Sequence, residues 1–344
     1  MYPSRSVYTM IKVFVRCAMF GFALLSSAAL AEPIKLKFSF FSSDRSLNYL
    51  AAIKPFVDAV NAEASGVVEI EVFLSGTLGK NYAGVAQQIL DGGADIAWVS
   101  PSLTPDRFPD NTVMELPGLF RDASEATFVH TRIIASGAMK GYEDYFVVAA
   151  FGAGPQGIHT RPQITSLNDL KGKRIRETNP TEGAMLRAFG VVPVDIPINQ
   201  TANAIISGTI DGASVSPITL FEFGTARATS YHYFLPLGVT PLLVLMNKAK
   251  FDSLPKAAQD VIRKFSGEWL AVRFTKSYGA SLDPLMKQLK SDRNRSVIYP
   301  TQSDLDTAQV AFKSVIDAWT AQSPRNRELL KLVHSEIAKL RSDR

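Results

Sequence analysis

The sequence predicts an α/β protein with two lobes, and three observations carry that prediction. From residue 34 onward, stretches with period-two alternation take turns with stretches at helical spacing. The same strand–helix alternation begins again near Tyr145. No proline-rich or serine-rich linker separates the halves, so two lobes joined by crossing strands is the simplest architecture.

The chain opens with Arg5, Lys12 and Arg16, followed by an apolar run from Cys17 through Leu25 and the small-residue stretch Ala29-Leu30-Ala31. That order is the pattern of a cleavable secretory signal, with cleavage expected after Ala31. The run is shorter than the ~20 apolar residues of a membrane span. Cys17 follows Phe14-Val15-Arg16, which is not the context of a lipid-anchored cysteine.

Ile34, Leu36, Phe38 and Phe40 alternate with Lys35, Lys37 and Ser39, which predicts a first strand. Leu50, Ile53, Phe56, Val57 and Val60 predict a helix over about 46–63. A second strand is expected over 67–73, then a glycine turn (Gly76, Gly79), a helix over 82–90 and a short strand over 95–99. This succession predicts a parallel sheet covered on both faces. In the second half, strands are expected over 145–151, 173–176, 191–196, 210–215 and 242–246, with helices over 181–189 and 199–207. Ser166-Leu167-Asn168-Asp169 has the form of a capping box. One long amphipathic helix is expected over 255–290, and a helical tail after Ser303.

The chain holds 344 residues, enough for more than one core. The leader carries three of the 37 basic residues and none of the 32 acidic ones, leaving 34 against 32 and a net charge of +2. That balance, without basic runs, argues against nucleic acid and is compatible with an anionic ligand. The single cysteine lies in the leader, so neither disulfides nor thiol chemistry is expected afterwards. His130, His159, His232 and His334 show no metal-ligand spacing, and no nucleophile elbow, phosphate loop or dinucleotide fingerprint is present. Gly152-Ala153-Gly154 follows a strand, but Pro155 stands where a phosphate-binding turn needs an N–H. No catalytic residue, metal or cofactor is therefore assigned, and an enzyme is not expected.

Several segments, in order, resemble the solute-binding proteins of TRAP transporters, the DctP-like family. They are Leu74-Ser75-Gly76-Thr77-Leu78-Gly79, Asp91-Gly92-Gly93-Ala94-Asp95-Ile96-Ala97-Trp98-Val99, Pro105-Asp106-Arg107-Phe108-Pro109 and Glu115-Leu116-Pro117-Gly118-Leu119-Phe120. Ile158-His159-Thr160, Ser166 to Leu170 and Lys171-Gly172-Lys173-Arg174-Ile175-Arg176 follow, then Ser207 to Ala213 and Met246 to Pro255. The resemblance spans nearly all of the chain after the leader. It implies a periplasmic, monomeric two-lobe binding protein with crossing strands and a long helix spanning the lobes. Such a protein would close by hinge motion on a small carboxylate and deliver it to a membrane permease. The expected division is 1–31 leader, 32–152 first part of lobe I, and 153–240 main part of lobe II. Residues 241–344 would supply the strand returning to lobe I, the spanning helix and C-terminal helices shared between lobes. A ligand-sensing protein for a membrane receptor, or an enzyme on the same scaffold, are the rival readings.

The resemblance implies that Arg176 clamps the ligand carboxylate, since a guanidinium offers two parallel donors. Arg174, on the same strand face, is the alternative anchor. Gln156 and His159, with Gly154 and Pro155, lie on the segment entering the second lobe, where ligand contact and a structural histidine are both open. A second arginine that relatives carry near Gln156 is missing, which speaks for a monocarboxylate. Ser214 and Ser216 are candidate hydrogen-bonding groups. Asn179 is a candidate polar contact. Trp98, Ser100 and Phe41, with Phe40 and Ser42, end first-lobe strands and could line the ligand or pack in the core. Phe221 and Phe234 carry the same ambiguity, and Arg107 is expected in a structural ion pair.

Overall fold

A computed structural model describes residues 32–342. The predicted leader lies outside the described residues. The first sheet starts with β1 (Ile34–Ser39), then a π-helical turn (Tyr49–Ile53) running into α1 (Lys54–Glu63), β2 (Val68–Phe73), α2 (Val85–Leu90) and β3 (Ile96–Val99). After two 3-10 turns come α3 (Ala123–Ala135) and β4 (Tyr145–Gly152). The second sheet follows with β5 (Gly157–Thr160), β6 (Arg174–Glu177), α4 (Pro180–Ala188), β7 (Val192–Asp195), α5 (Ile198–Ile206), β8 (Gly212–Val215), α6 (Pro217–Glu222) and β9 (Tyr231–Tyr233). The chain then returns through β10 (Pro241–Asn247), α7 (Lys248–Ser253), α8 (Lys256–Lys264) and α9 (Glu268–Ser291), and ends with β11 (Ser296–Ile298), α10 (Gln302–Ala321) and α11 (Pro324–Ser342).

The two sheets have orders β2-β1-β3-β10-β4 and β11-β9-β5-β8-β6-β7. The first is mixed rather than parallel throughout: β10 comes back from the second sheet and pairs antiparallel with β3 and β4. Its run Leu242–Met246 is fully apolar because it is buried on both faces. β4 feeds residue 153 out of the first sheet and β10 receives the chain at 241. These two crossing segments bond to each other, Ala153 N–H to Thr240 O (3.0 Å) and Gln156 N–H to Gly238 O (3.1 Å). At Gly238 a Cβ would lie 2.2 Å from the Glu115 carbonyl, so no side chain fits where the return strand crosses.

The expected helix over 255–290 is present but interrupted. Gly267, at φ +59°, donates its N–H to Val148 O at 2.8 Å, and this turn separates α8 from α9. α9 packs against α3, the π turn and α6, so it touches elements of both sheets. The C-terminal pair does the same: α10 packs on α4 and α11 on α3. Arg341 pairs with Glu125 (2.7 Å) and Arg325 with Asp110 (2.6 Å), tying α11 to the first sheet's helix and turns.

Six elements lie outside the sequence prediction: α3, β5, α6, β9, α7 and β11. α3 carries a legible start, since the Asp122 side chain accepts from Glu125 N–H at 2.8 Å as an N-cap. β5 and β9 are four and three residues long, too short for a periodic signal.

Candidate functional site

The strand ends of the two sheets face a cleft of about 480 Å³. This is where ligands sit in α/β folds, because loops and helix N-termini gather beyond the strand ends. Phe40 and Phe41 follow β1, Trp98 and Ser100 end β3, and Tyr82 precedes α2; all five line the cleft. From the other side come Arg176 and Thr178 at the end of β6, Asp195 at the end of β7, the first turn of α5 (Ile198, Asn199, Gln200) and Val215-Ser216 at the end of β8. Gln156 and Thr240, on the crossing segments, form the floor.

Arg176 is the centre of the arrangement. It is only 5% exposed. Its Nε donates to Ile196 O at 3.1 Å and its Nη1 to Thr178 Oγ1 at 2.8 Å. Nη2 has no protein partner, and Arg176 forms no ion pair among the described residues. Burial pulls the guanidinium pKa down, and Glu182, Asp195 and Glu177 oppose that shift. A guanidinium stays charged through such a shift. The result is a buried, aimed cation with open donors, which costs stability unless an anion completes it.

The support around it is specific. Thr178 Oγ1 also receives Gln156 Nε2 at 3.1 Å, and the same amide donates to Thr240 Oγ1 at 2.9 Å. Thr178 N–H donates to Glu182 Oε2 at 2.5 Å, so the strand end is locked to α4. Arg174, by contrast, is exposed and occupied. Its guanidinium pairs with Asp211 (3.0 Å) and donates to Gly208 O (2.8 Å), away from the cleft.

The opposite wall is aromatic. Phe41 stacks on Tyr82 with centroids 4.0 Å apart and meets Phe223 at 5.6 Å. Phe40 meets Trp98 edge-on at 6.0 Å, and Trp98 stacks on Phe151 at 5.5 Å. Ring faces at this spacing form a flat apolar surface.

Eight candidates from the sequence therefore meet in one cleft: Arg176, Gln156, Ser216, Trp98, Ser100 and Phe41, with Phe40 and Ser42. Three do not line it. His159 is fully buried within the second sheet, where its Nδ1 lies 3.0 Å from His232 Nδ1 and its Nε2 3.2 Å from Val215 O. Asn179 is spent on capping α4, accepting Glu182 N–H at 2.8 Å, and the following Pro180 completes that helix start. Ser214 is fully buried, one residue before the lining Val215, and sits beside Glu182. Phe221 lines a neighbouring cavity and Phe234 stacks edge-on against His159. Arg107 hydrogen-bonds Tyr145 and Gln87 and has no ion pair among the described residues. Tyr82, Thr178, Asp195, Thr240, Glu222 and Phe223 were missed, because residues in loops and at the last position of an element carry no periodic signal. No group of three potential metal ligands occurs among the described residues. No helix there is long and apolar enough to cross a membrane.

The model of bacterial extracellular solute-binding protein family 7, DctP, matches residues 38–323. The 2,3-diketo-L-gulonate-binding periplasmic protein YiaO of Escherichia coli is 26% identical over 336 residues, covering 91% of this chain and 95% of that protein. Among solved structures, a marine metagenome TRAP solute-binding protein specific for aromatic acid ligands, in complex with 3-hydroxybenzoate, is similar at a TM-score of 0.83. It shares 27% identity, with coverage of 90% of this chain and 99% of that one. A TRAP solute-binding protein of Rhodoferax ferrireducens with copurified benzoate matches at TM-score 0.78 and 27% identity, covering 89% and 98%.

Proposed function

Since this chain belongs to bacterial extracellular solute-binding protein family 7, we propose that it captures an aromatic monocarboxylate outside the cytoplasmic membrane and hands it to a TRAP-type permease. The observation that carries this is the Arg176 guanidinium: buried, fixed by Ile196 O and Thr178, and open at Nη2 toward the cleft. A carboxylate there takes charge-assisted donors and neutralises the buried cation. Facing it, Phe41, Tyr82 and Trp98 offer ring-sized apolar surface. The solved relatives holding benzoate and 3-hydroxybenzoate are 27% identical to this chain and support the aromatic class.

Binding requires no bond to break, and the cleft residues serve it by position alone. Gln156 and Ser216 supply polar contacts near the carboxylate, and Ser100 and Trp98 meet the ligand from the first sheet. The crossing segments Ala153–Gln156 and Leu237–Thr240 act as the hinge, and α9 limits the swing. The leader of residues 1–31 exports the chain, which works as a monomer.

Thermal melting of residues 32–344 against benzoate, hydroxybenzoates, aliphatic acids and sugar acids tests this. A ligand that binds only the folded state raises the melting temperature. A rise with the aromatic monoacids is expected; a rise confined to aliphatic or sugar acids would overturn the aromatic class. Turnover of any of these acids would overturn the binding role.

A further inference from the structure

Glu222 is the last residue of α6, which follows a strand of the second sheet, yet its partners come from the first. Asn48 Nδ2 donates to Glu222 Oε2 at 3.1 Å and the Ser46 hydroxyl donates to Oε1; both donors precede α1. The neighbouring Phe223 stacks on Phe41 at 5.6 Å, again across the cleft. Glu222, Phe223 and Asn199 line both the ligand cleft and an adjoining cavity of about 530 Å³, so they form the partition between the two. A carboxylate is costly here: burial raises its pKa, and a helix C-terminus disfavours negative charge. Arg227 and Arg295 line the outer cavity but neither pairs with it. The carboxylates acting on Arg176 are Glu182, Asp195 and Glu177; Glu222 acts instead on Tyr82 and Tyr278. The cleft thus has a cationic end and a separate acidic end.

We propose that Glu222 determines specificity: clasped by Ser46 and Asn48 across the closed mouth, its carboxylate excludes acids that carry a second carboxylate at the end away from Arg176. This rests on the reading of Arg176 as the carboxylate anchor. A second carboxylate near Glu222 meets like charge in a closed, poorly screened space, and rejection by repulsion is as effective as selection by attraction.

The test is isothermal titration of residues 32–344, wild type and Glu222→Gln, with benzoate and with terephthalate. Glutamine keeps its one acceptor oxygen for the Asn48 amide, can donate its own N–H to the Ser46 hydroxyl, and removes the charge. The ratio of terephthalate to benzoate affinity rises by about tenfold or more in the variant, and Glu222→Asp leaves it low. An unchanged ratio in Glu222→Gln overturns the proposal. Failure of the anchor reading is seen separately, as wild type binding neither acid. The clasp is then judged without ligand, by small-angle scattering. A larger radius of gyration for Glu222→Ala than for wild type supports it, and equal radii overturn it.

Discussion

The two walls of the cleft are built on opposite plans. The first-sheet wall is aromatic and continuous with the core: Trp98 stacks on Phe151, which stacks on Phe274 of α9 at 4.3 Å. The second-sheet wall is polar and hung on single hydrogen bonds, with Arg176, Gln156 and Thr240 meeting through Thr178 and the Gln156 amide. The apolar wall cannot be altered without disturbing packing, whereas the polar wall can lose one group and keep its fold. Charge recognition is therefore concentrated in a few removable atoms, and shape recognition is spread through the hydrophobic interior.

The largest effect expected from this division is at Arg176. Among the described residues that line the cleft Arg176 is the buried cation, Lys80 being exposed, and Arg176→Ala lowers affinity for a carboxylate by about 100-fold or more, within the 2–5 kcal/mol typical of a buried charge contact. Arg174→Ala, two residues away, leaves that affinity within about threefold, because its charge is spent on a surface pair with Asp211. Titration of both variants with benzoate checks the contrast. Equal losses would mean that the two arginines share the role.

Next in size is Thr178→Val. It keeps the volume but removes the acceptor shared by Arg176 and Gln156, so affinity falls by about tenfold, in line with loss of one or two hydrogen bonds to a charged group. The melting temperature without ligand should move far less than the affinity. Phe41→Ala comes third. Loss of its ring contacts costs about 0.5–1.5 kcal/mol, so affinity for benzoate falls by a few fold while aliphatic acids are affected less. A uniform loss across both classes would show that the aromatic wall shapes the cleft without reading the ligand.

The smallest effect at neutral pH involves the buried histidines. Burial lowers the His159 pKa to about 3, helped by its neighbour, and lowers those of His232 and His130 to about 4. The carbonyl of Val215 only accepts, so His159 carries its proton on Nε2 and receives one on Nδ1 from His232. The unfolded chain protonates near pH 6.5, well above the folded values, so it binds more protons in between. Stability is full above about pH 6.5 and falls as the pH drops through 6 toward 4. Melting at pH 7 and pH 5 should show a clear drop, reduced in His232→Gln. A drop of the same size in the variant would place the sensitivity at His159 and His130.

How far the sequence revealed the site follows the same division. Arg176 stood out because the Lys171–Arg176 segment resembles the family's, whereas by residue pattern alone it read as one of several basic residues on a strand; Trp98 and Ser100 were candidates because they end the strand expected over 95–99. Alternation also placed β1, β2 and β10. What it could not supply was the direction of residues just past a strand end. His159 lies in β5 on the same sheet face as Arg176, but two strands away from it, where it is fully buried against His232. Asn179-Pro180-Thr181-Glu182 carried a helix-start signal that accounts for Asn179 without a ligand. Glu222 and Tyr82 gained their positions only when loops from both sheets met, a long-range event without a local trace.

The most direct test of the Arg176 clamp is to titrate residues 32–344 with benzoate and with benzamide, which keeps the ring and loses the charge, in wild type and Arg176→Ala. The clamp predicts that wild type strongly prefers benzoate and that the variant binds the two alike and weakly. A variant that still prefers benzoate as strongly as wild type would contradict it and place the counter-charge elsewhere in the cleft.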